Sequence, residues 1–254
     1  VLTCITSVEL EHTDKLGDNL AAIAGEKAGI IKRHIPIVAG ALPPEAEAVV
    51  RRRADEMEAE MEVIAASADA VAALAATDRC SARNASLAFA CARRIVGDRE
   101  GFPAAVRRAL ADTHPPGRME IVAEHPWVVI DGAHTPASAA ALAEMLEGVP
   151  ANRLHLLLSV SAARDASAIL APLLDRAHQI VITSADATRS MDGDAVAANL
   201  VAHGYAATRI SAIADPREAV LHARRALDDD DLLCVAGSMY MAGVARETLL
   251  GALP

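Results

Sequence analysis

The sequence predicts an α/β protein with mostly parallel sheets. Short apolar runs alternate with segments of helical periodicity along the 254 residues. Gly, Pro, Asn and Asp separate the two kinds of segment, as they do between strands and helices. From residue 119 onward the alternation is regular and the connections are short, as a parallel sheet covered by helices on both faces requires.

Each strand is predicted from an apolar run that turn residues bound. The runs cover residues 1–8, 35–39, 62–65, 119–123, 127–130, 154–160, 179–183, 208–211 and 232–236. Each helix is predicted from apolar residues at helical spacing. The helical segments cover roughly 19–32, 43–59, 83–97, 102–112, 136–147, 165–176, 192–203, 215–227 and 239–251. Asp18 or Asn19 is the predicted N-cap of the first helix.

The turn from His114 to Gly117 is the predicted domain boundary. Pro115 and Pro116 prevent a helix from continuing through it, and the run that follows is extended. We therefore expect a first domain at 1–115 and a second at 116–254. The chain opens without Met, directly in a strand-like run, so we expect a piece of a longer protein.

Composition excludes several classes of function. The 24 basic and 34 acidic residues give a net charge of −10, which argues against nucleic-acid binding through phosphate neutralisation. No apolar run approaches the ~18 residues of a membrane span. The four cysteines form no CxxC pair and the nine histidines form no HExxH motif, so we expect no structural zinc site. We expect reduced thiols and a cytoplasmic location.

The first candidate site is the polar turn after the first strand. Ligands of open α/β sheets bind at the carboxyl ends of strands, so His12 is a candidate metal ligand. The alternative is a loop whose side chains only cap the next helix.

Lys27 is the second candidate, because the helical phase places it on an apolar face. The apolar residues of that face are Leu20, Ile23, Ile30 and Ile31. A buried ammonium is costly unless it pairs or changes its chemistry. The alternative is a lysine at the edge of the face that extends to solvent.

The run from Trp127 to Pro136 is the third candidate site. An apolar strand leads into Asp131, Gly132 and His134, and then Thr135 and Pro136 begin a helix as N-cap and first helical residue. A carboxylate and an imidazole beside free helix amides are suited to a ribose and a phosphate. The alternative is a capped turn without a ligand.

Arg118 and Asn84 are two weaker candidates. Arg118 follows a turn and is either a phosphate ligand or a surface residue, and Asn84 opens a helix that it could simply cap. None of Lys15, Lys27 and Lys32 follows a Gly, so the sequence contains no Walker A loop, and GxGxxG is also absent. A phosphate cradle for ATP would have to lie outside this chain.

Several stretches resemble one family. The run ITSVELEHTDKLGDNLAAIAGEKAGIIK at 5–32 is similar to the signature of the Mur-type ATP-dependent amide ligases, and most similar to folylpolyglutamate synthase/dihydrofolate synthase. Further similar stretches follow in the family's order: NASLAFA at 84–90, PPGRMEIV at 115–122, DGAHTPASAAAL at 131–142 and LLCVAGSMYMAGVAR at 232–246. The resemblance covers essentially the whole chain.

The resemblance implies a fold in two parts. Residues 1–115 would be the later half of a P-loop-type central domain, and residues 116–254 a Rossmann-like C-terminal domain. The P-loop segment of the parent chain would be missing, so this chain alone would be inactive.

The resemblance also implies cofactors and site residues. ATP and Mg²⁺ would be bound, with His12 and Lys27 at the metal and Lys27 matching a lysine that many members carbamylate. Asn84 would lie near the adenine and Arg118 near the phosphates. The ribose would contact Asp131. His134 would lie beside the nucleotide and, with Lys27, act in catalysis.

The implied reaction adds L-glutamate to the carboxylate of a folate or a dihydropteroate through an acyl phosphate. Two alternatives remain at this stage. One is another Mur-type amino-acid ligase, such as a peptidoglycan-precursor ligase. The other is a non-catalytic nucleotide-binding module that lacks the P-loop.

Overall fold

The computed structural model describes residues 1–10, 16–65, 82–97, 99–113, 115–161 and 165–251. The chain divides into two compact units, Val1–Thr113 and His114–Pro254. Each unit contains one sheet. Within the described ranges, no helix is long and apolar enough to cross a membrane.

The first unit is built on a small parallel sheet. Its strands lie in the order β1 (Thr3–Ile5), β2 (Ile37–Gly40) and β3 (Met61–Ile64). The described helices are α1 (Leu20–Ala28), α2 (Pro44–Glu56), α3 (Ala82–Val96) and α4 (Phe102–Asp112). The middle strand β2 is buried along its whole length, because helices cover both faces of the sheet.

The two faces of this sheet have different cores. On one face, small residues of α1 and α2 bring both helices close to the strands. This core contains Ile5, Val8, Ile23, Ala24, Ile31, Ile37, Ala39, Ala46, Val50 and Ala54. The other face carries Val38 and Gly40 and lies under α3, whose Leu87 approaches Gly40.

The second unit is built on a six-stranded sheet. Its strands are β4 (Glu120–Glu124), β5 (Trp127–Ile130), β6 (Leu154–Leu158), β7 (Ala177–Ile182), β8 (Ile210–Ala212) and β9 (Leu232–Ala236). Its helices are α5 (Pro136–Leu146), α6 (Ala166–Leu174), α7 (Gly193–Ala202), α8 (Pro216–Arg225) and α9 (Met239–Leu250). The strand order is β4-β5-β9-β6-β7-β8, and only the β4–β5 pair is antiparallel.

The insertion of β9 between β5 and β6 positions the site of this unit. Helices α5, α6 and α7 pack on one face of the sheet, and α8 and α9 pack on the other. Strand β9 therefore sends its following helix to one face, whereas its neighbours β5 and β6 send theirs to the opposite face. Such a switch point opens a crevice at the carboxyl ends of the strands.

The predicted α/β class with mostly parallel sheets is confirmed, and each predicted strand and helix overlaps an observed one. Asn19 caps α1, because its side-chain oxygen accepts a hydrogen bond from the Ala22 amide at 2.8 Å. The predicted extent of this helix is wrong. It ends at Ala28 because the chain turns at Gly29, and Ile30 is then 50% exposed.

Candidate functional site

The site of the second unit begins with Asp131, which directly follows β5. The side chain is only 7% exposed. One carboxylate oxygen accepts the Met119 amide and the other accepts the Ala133 amide, each at 2.7 Å. The carboxylate is therefore mostly buried at the end of the strand. Asp131 joins the turn before β4 to the turn after β5.

The Asp131 carboxyl is buried, and neighbouring groups compensate its negative charge only in part. Burial raises the pKa of this carboxyl above its usual 3.8, although the amides of Met119 and Ala133 and the charges of Arg118 and His134 oppose the rise. Met119 has a φ of 44°, in the left-handed region that non-glycine residues adopt at a cost. Local backbone strain and a buried acid therefore coincide at this strand end.

His134 extends the site toward the start of α5. Its Nδ1 lies 2.7 Å from the Gly132 carbonyl oxygen, which can only accept a hydrogen bond. We therefore assign the proton to Nδ1, which makes Nε2 the accepting nitrogen of the neutral ring. The imidazole is thus held to its own turn in one tautomer.

Thr135 is the N-cap of α5 and Pro136 is its first residue, as predicted. The predicted free amides at this helix start are in part occupied. The Ser138 hydroxyl accepts the His134 amide at 3.1 Å and the Thr135 amide at 2.9 Å, and the Ser138 amide donates to Thr135 Oγ1 at 3.2 Å. Sequence reasoning missed this capping box, because Ser138 stands where the usual signature has Glu or Gln.

The end of β9 and the start of α9 form the facing side of the crevice. Arg118 is exposed, and its Nη1 lies 2.9 Å from the Met239 sulfur. A Cβ on Gly132 would lie 2.0 Å from that sulfur and 2.8 Å from Arg118 Nη1, so only glycine fits there without rearrangement. Met239 was not among the predicted site residues, because a methionine at a strand end carries no chemical motif.

A second contact that sequence reasoning missed lies beside Met239. The Arg189 guanidinium stands 5.1 Å from the ring centroid of Tyr240, which is close enough for a cation–π interaction. Gly237, two residues before Met239, has a φ of 98°, and a Cβ there would lie 2.6 Å from the Ser159 carbonyl oxygen. Residues that follow β5, β6, β7 and β9 thus border this edge of the sheet.

Lys27 belongs to the first unit and is partly buried. Its Nζ donates a hydrogen bond at 3.2 Å to the carbonyl of Ser7, which follows β1. Of the two alternatives for Lys27, the structure favours the one at the edge of the apolar face, because α1 ends before Ile30. The ammonium extends from the edge of the helix to a backbone carbonyl.

The remaining predicted residues of the first unit have different outcomes. His12 lies outside the described residues. Within the described part of the chain, no group of three or more His, Cys, Asp and Glu side chains could hold a metal ion. Asn84 is exposed and is the third residue of α3, so it is not the N-cap of that helix. One turn later Leu87 approaches Gly40, which places this part of α3 at the carboxyl end of β2.

The structure therefore brings Arg118, Asp131 and His134 together at the carboxyl edge of the second sheet. A cavity of about 340 Å³ lies at the opposite, amino edge. Its polar lining is Arg153, His155, His178, Gln179, Ser211 and His222. This cavity is not the predicted nucleotide site, since the full length of the strands separates it from Asp131.

Comparison with known families finds a match in the second unit. Residues 117–239 match the family model described as Mur ligase, glutamate ligase domain. The match begins at the Gly117 turn and ends at Met239, so the matched region includes Arg118, Asp131 and His134.

Relatives extend the similarity over nearly the whole chain, as predicted. The chain is 31% identical to a probable bifunctional folylpolyglutamate synthase/dihydropteroate synthase of Haloferax volcanii, over 98% of this chain and 32% of that protein. It is 28% identical to a dihydrofolate synthase/folylpolyglutamate synthase of Bacillus subtilis, over 98% of this chain and 63% of that protein. The chain therefore spans less than two thirds of these relatives.

A solved structure supports the same relationship. The folylpolyglutamate synthase of Mycobacterium tuberculosis complexed with ADP superposes with a TM-score of 0.83 at 28% identity. The superposition covers 100% of this chain and 64% of that chain. The similarity therefore extends to both units.

Proposed function

We propose that this chain is part of a cytoplasmic ATP-dependent ligase that adds L-glutamate to the carboxylate of a folate or a dihydropteroate. The observation that carries the proposal is the convergence of Arg118, Asp131 and His134 at the switch point of the second unit. Both relatives named above are described as folylpolyglutamate synthases, and the Bacillus subtilis relative is also described as a dihydrofolate synthase, which supports the acceptor class.

Each residue of this edge has a role that its geometry supports. Arg118 is exposed and cationic, which suits contact with phosphates. The Asp131 oxygens retain accepting capacity beyond the two backbone amides and can bind ribose hydroxyls. His134 presents an accepting Nε2 beside them.

In the first unit, Lys27 would lie at the metal and Asn84 near the adenine. We propose that residues 1–115 are the later part of the ATP-binding central domain, with His12 and Lys27 near magnesium. Carbamylation would convert the Lys27 ammonium into an anion able to bind the metal. MgATP, when bound, supplies the phosphoryl group that activates the acceptor carboxylate for attack by the glutamate amine.

The absence of a Walker A loop from the sequence determines the first experiment. We expect no ligation by this chain alone, because a phosphate-cradling loop is needed for phosphoryl transfer. Phosphate release is measured with ATP, magnesium, glutamate and a reduced folate or dihydropteroate. Glutamate-dependent turnover at about 1 per second or faster would contradict the requirement for a further segment.

The second experiment restores that segment. The part of the Bacillus subtilis relative that precedes the similar region is fused to Val1, and ligation is measured again. We expect activity that Lys27→Ala abolishes, that acetate partly restores in that variant, and that Arg118→Ala lowers. Arg217→Ala is the matched control, since this exposed arginine pairs with Glu247. Nucleotide binding without ligation would instead support a non-catalytic module.

A further inference from the structure

Two cysteines that the proposed reaction does not use face each other in the first unit. Cys4 lies on β1, opposite Val38 of β2, and Val38 lies opposite Glu62 of β3. Residues opposite each other in a parallel sheet share a face, so these three side chains form a row. The row lies on the face that α3 covers.

Helix α3 crosses this row with Cys91 above it. Leu87 approaches Gly40 at the carboxyl end of β2, and Arg94 forms an ion pair at 3.6 Å with Glu62. Cys91 lies between these two contacts on the helix, on the face of the sheet that carries Cys4, and the neighbouring Cys4 contributes to a raised pKa of Cys91. Both cysteines are partly exposed, whereas Cys234 of the second unit is fully buried.

We propose that Cys4 and Cys91 form a reversible disulfide, so that this face of the first unit is a redox modification site. Hydrogen peroxide is the oxidant. One thiol is first oxidised by peroxide to a sulfenic acid with release of one water. The second thiol then displaces the hydroxyl group as another water. In total two S–H bonds and the O–O bond break, one S–S bond and two O–H bonds form, and a dithiol reductant reverses the change.

The surroundings of Cys91 lower its reactivity toward peroxide. Burial, together with the neighbouring Cys4 and Glu62, raises the pKa of Cys91 to about 11. Thiolates rather than thiols attack peroxide, so this shift slows direct oxidation of Cys91.

The cross-link would join two elements of the proposed nucleotide site. Strand β1 leads to Ser7, whose carbonyl accepts Lys27, and α3 carries Asn84. Oxidation would fix the position of one element relative to the other. This consequence rests on the proposed function, whereas formation of the disulfide does not.

Peptide mapping tests the proposal. Cleavage after Lys and Arg places the four cysteines in separate peptides, 1–15, 80–83, 84–93 and 226–246. The folded chain is treated with a small excess of peroxide, remaining thiols are blocked, and the digest is analysed without reductant. We expect peptides 1–15 and 84–93 to appear as one species, lighter than their sum by two hydrogens and separated by dithiothreitol.

Oxidation in urea supplies the matched comparison. In an unfolded chain, loop closure favours the short Cys80–Cys91 segment over the long Cys4–Cys91 segment by about 20-fold. We therefore expect a Cys80–Cys91 product in urea and a Cys4–Cys91 product in the folded chain. Cys80→Ser and Cys234→Ser should retain the native product, and Cys4→Ser should lose it. A folded chain that gives the urea product, or no cross-link, would overturn the proposal.

Discussion

Two buried aspartates of the second sheet have pKa values that are shifted in opposite directions. They lie at opposite ends of the parallel strands. Asp131, at the carboxyl ends of the strands, accepts hydrogen bonds from the backbone amides of Met119 and Ala133, and burial raises its pKa. Asp231, at the amino edge, is 1% exposed and accepts two hydrogen bonds from Arg153, at 2.9 and 2.7 Å. Burial also acts to raise the pKa of Asp231, but Arg153 and the Asp228 amide outweigh it and lower the pKa below 3.8.

The difference between the two aspartates lies in the charge of the donor. A bidentate guanidinium compensates a buried carboxylate, whereas amide dipoles compensate it only in part. Asp231 thus holds the start of β9 near the start of β6. The charge of Asp131 is compensated only in part beside the crevice, which is common at functional sites.

The largest expected loss of stability follows the removal of Asp231, the acid that Arg153 compensates. Asp231→Ala leaves the Arg153 guanidinium and the Asp228 amide without this partner, and we expect a loss of about 3 kcal/mol in the free energy of unfolding. Urea unfolding followed by circular dichroism measures it. Asp229→Ala, in the same turn but exposed, is the control and should change stability by less than about 0.5 kcal/mol. Equal effects of the two substitutions would contradict this account.

The second substitution removes the incompletely compensated acid. Asp131→Ala deprives the amides of Met119 and Ala133 of their acceptors, so we expect a loss of about 2 kcal/mol. Hydrogen exchange at these two amides should accelerate in the variant. The exposed Glu124 provides the control substitution Glu124→Ala. Unchanged exchange at Met119 would show that Asp131 does not hold its turn.

A smaller effect is expected where the carboxyl edge is closely packed. Gly132→Ala places a methyl group against Met239 and Arg118, whose flexible side chains can shift, so we expect a loss of about 1 kcal/mol. The double variant with Met239→Ala should lose less than the sum of the single variants, because the sulfur that obstructs the methyl group is gone. Strict additivity would indicate that Met239 does not limit the space at Gly132.

The smallest expected effect is on the pH dependence of stability, through His155 near the amino ends of the strands. Burial lowers the pKa of His155 below 6.5; Asp231 opposes the shift, while His178 and Arg153 add to it. The folded state then binds fewer protons than the unfolded state. The contribution of the neutral His155 to the free energy of unfolding is therefore present above pH 6.5 and is lost as the pH falls below it. The urea midpoint should therefore fall less between pH 7.5 and about 5.5 in His155→Gln than in the parent. His203→Gln, at an exposed position, should keep the parental dependence.

Local pattern was sufficient to predict the order of strands and helices. Asn19 and Thr135 mark helix starts through side-chain acceptors that act within three residues, and such signals are visible in a sequence. Helix ends are less visible. The predicted first helix continues past Gly29 to residue 32, because Ile31 stands at helical spacing, yet a turn rather than a helix buries it.

The candidate site was predictable only as a set of residue types. The sequence indicates that Asp131 and His134 follow a strand, but not that Met119, twelve residues earlier, donates its amide to Asp131. That contact depends on the antiparallel pairing of β4 with β5. The network of Arg153 with Asp231 and the pairing of Cys4 with Cys91 likewise depend on which strands and helices become neighbours, which periodicity does not encode.

The position of β9 also has a consequence for synthesis. This strand is translated last among the strands of its sheet, yet it occupies the place between β5 and β6. Until Ala236 has left the ribosome, β5 and β6 each present an edge without its final partner, and unpaired edges favour pairing with other chains. The sheet of the second unit therefore cannot reach its final strand order before β9 has been translated.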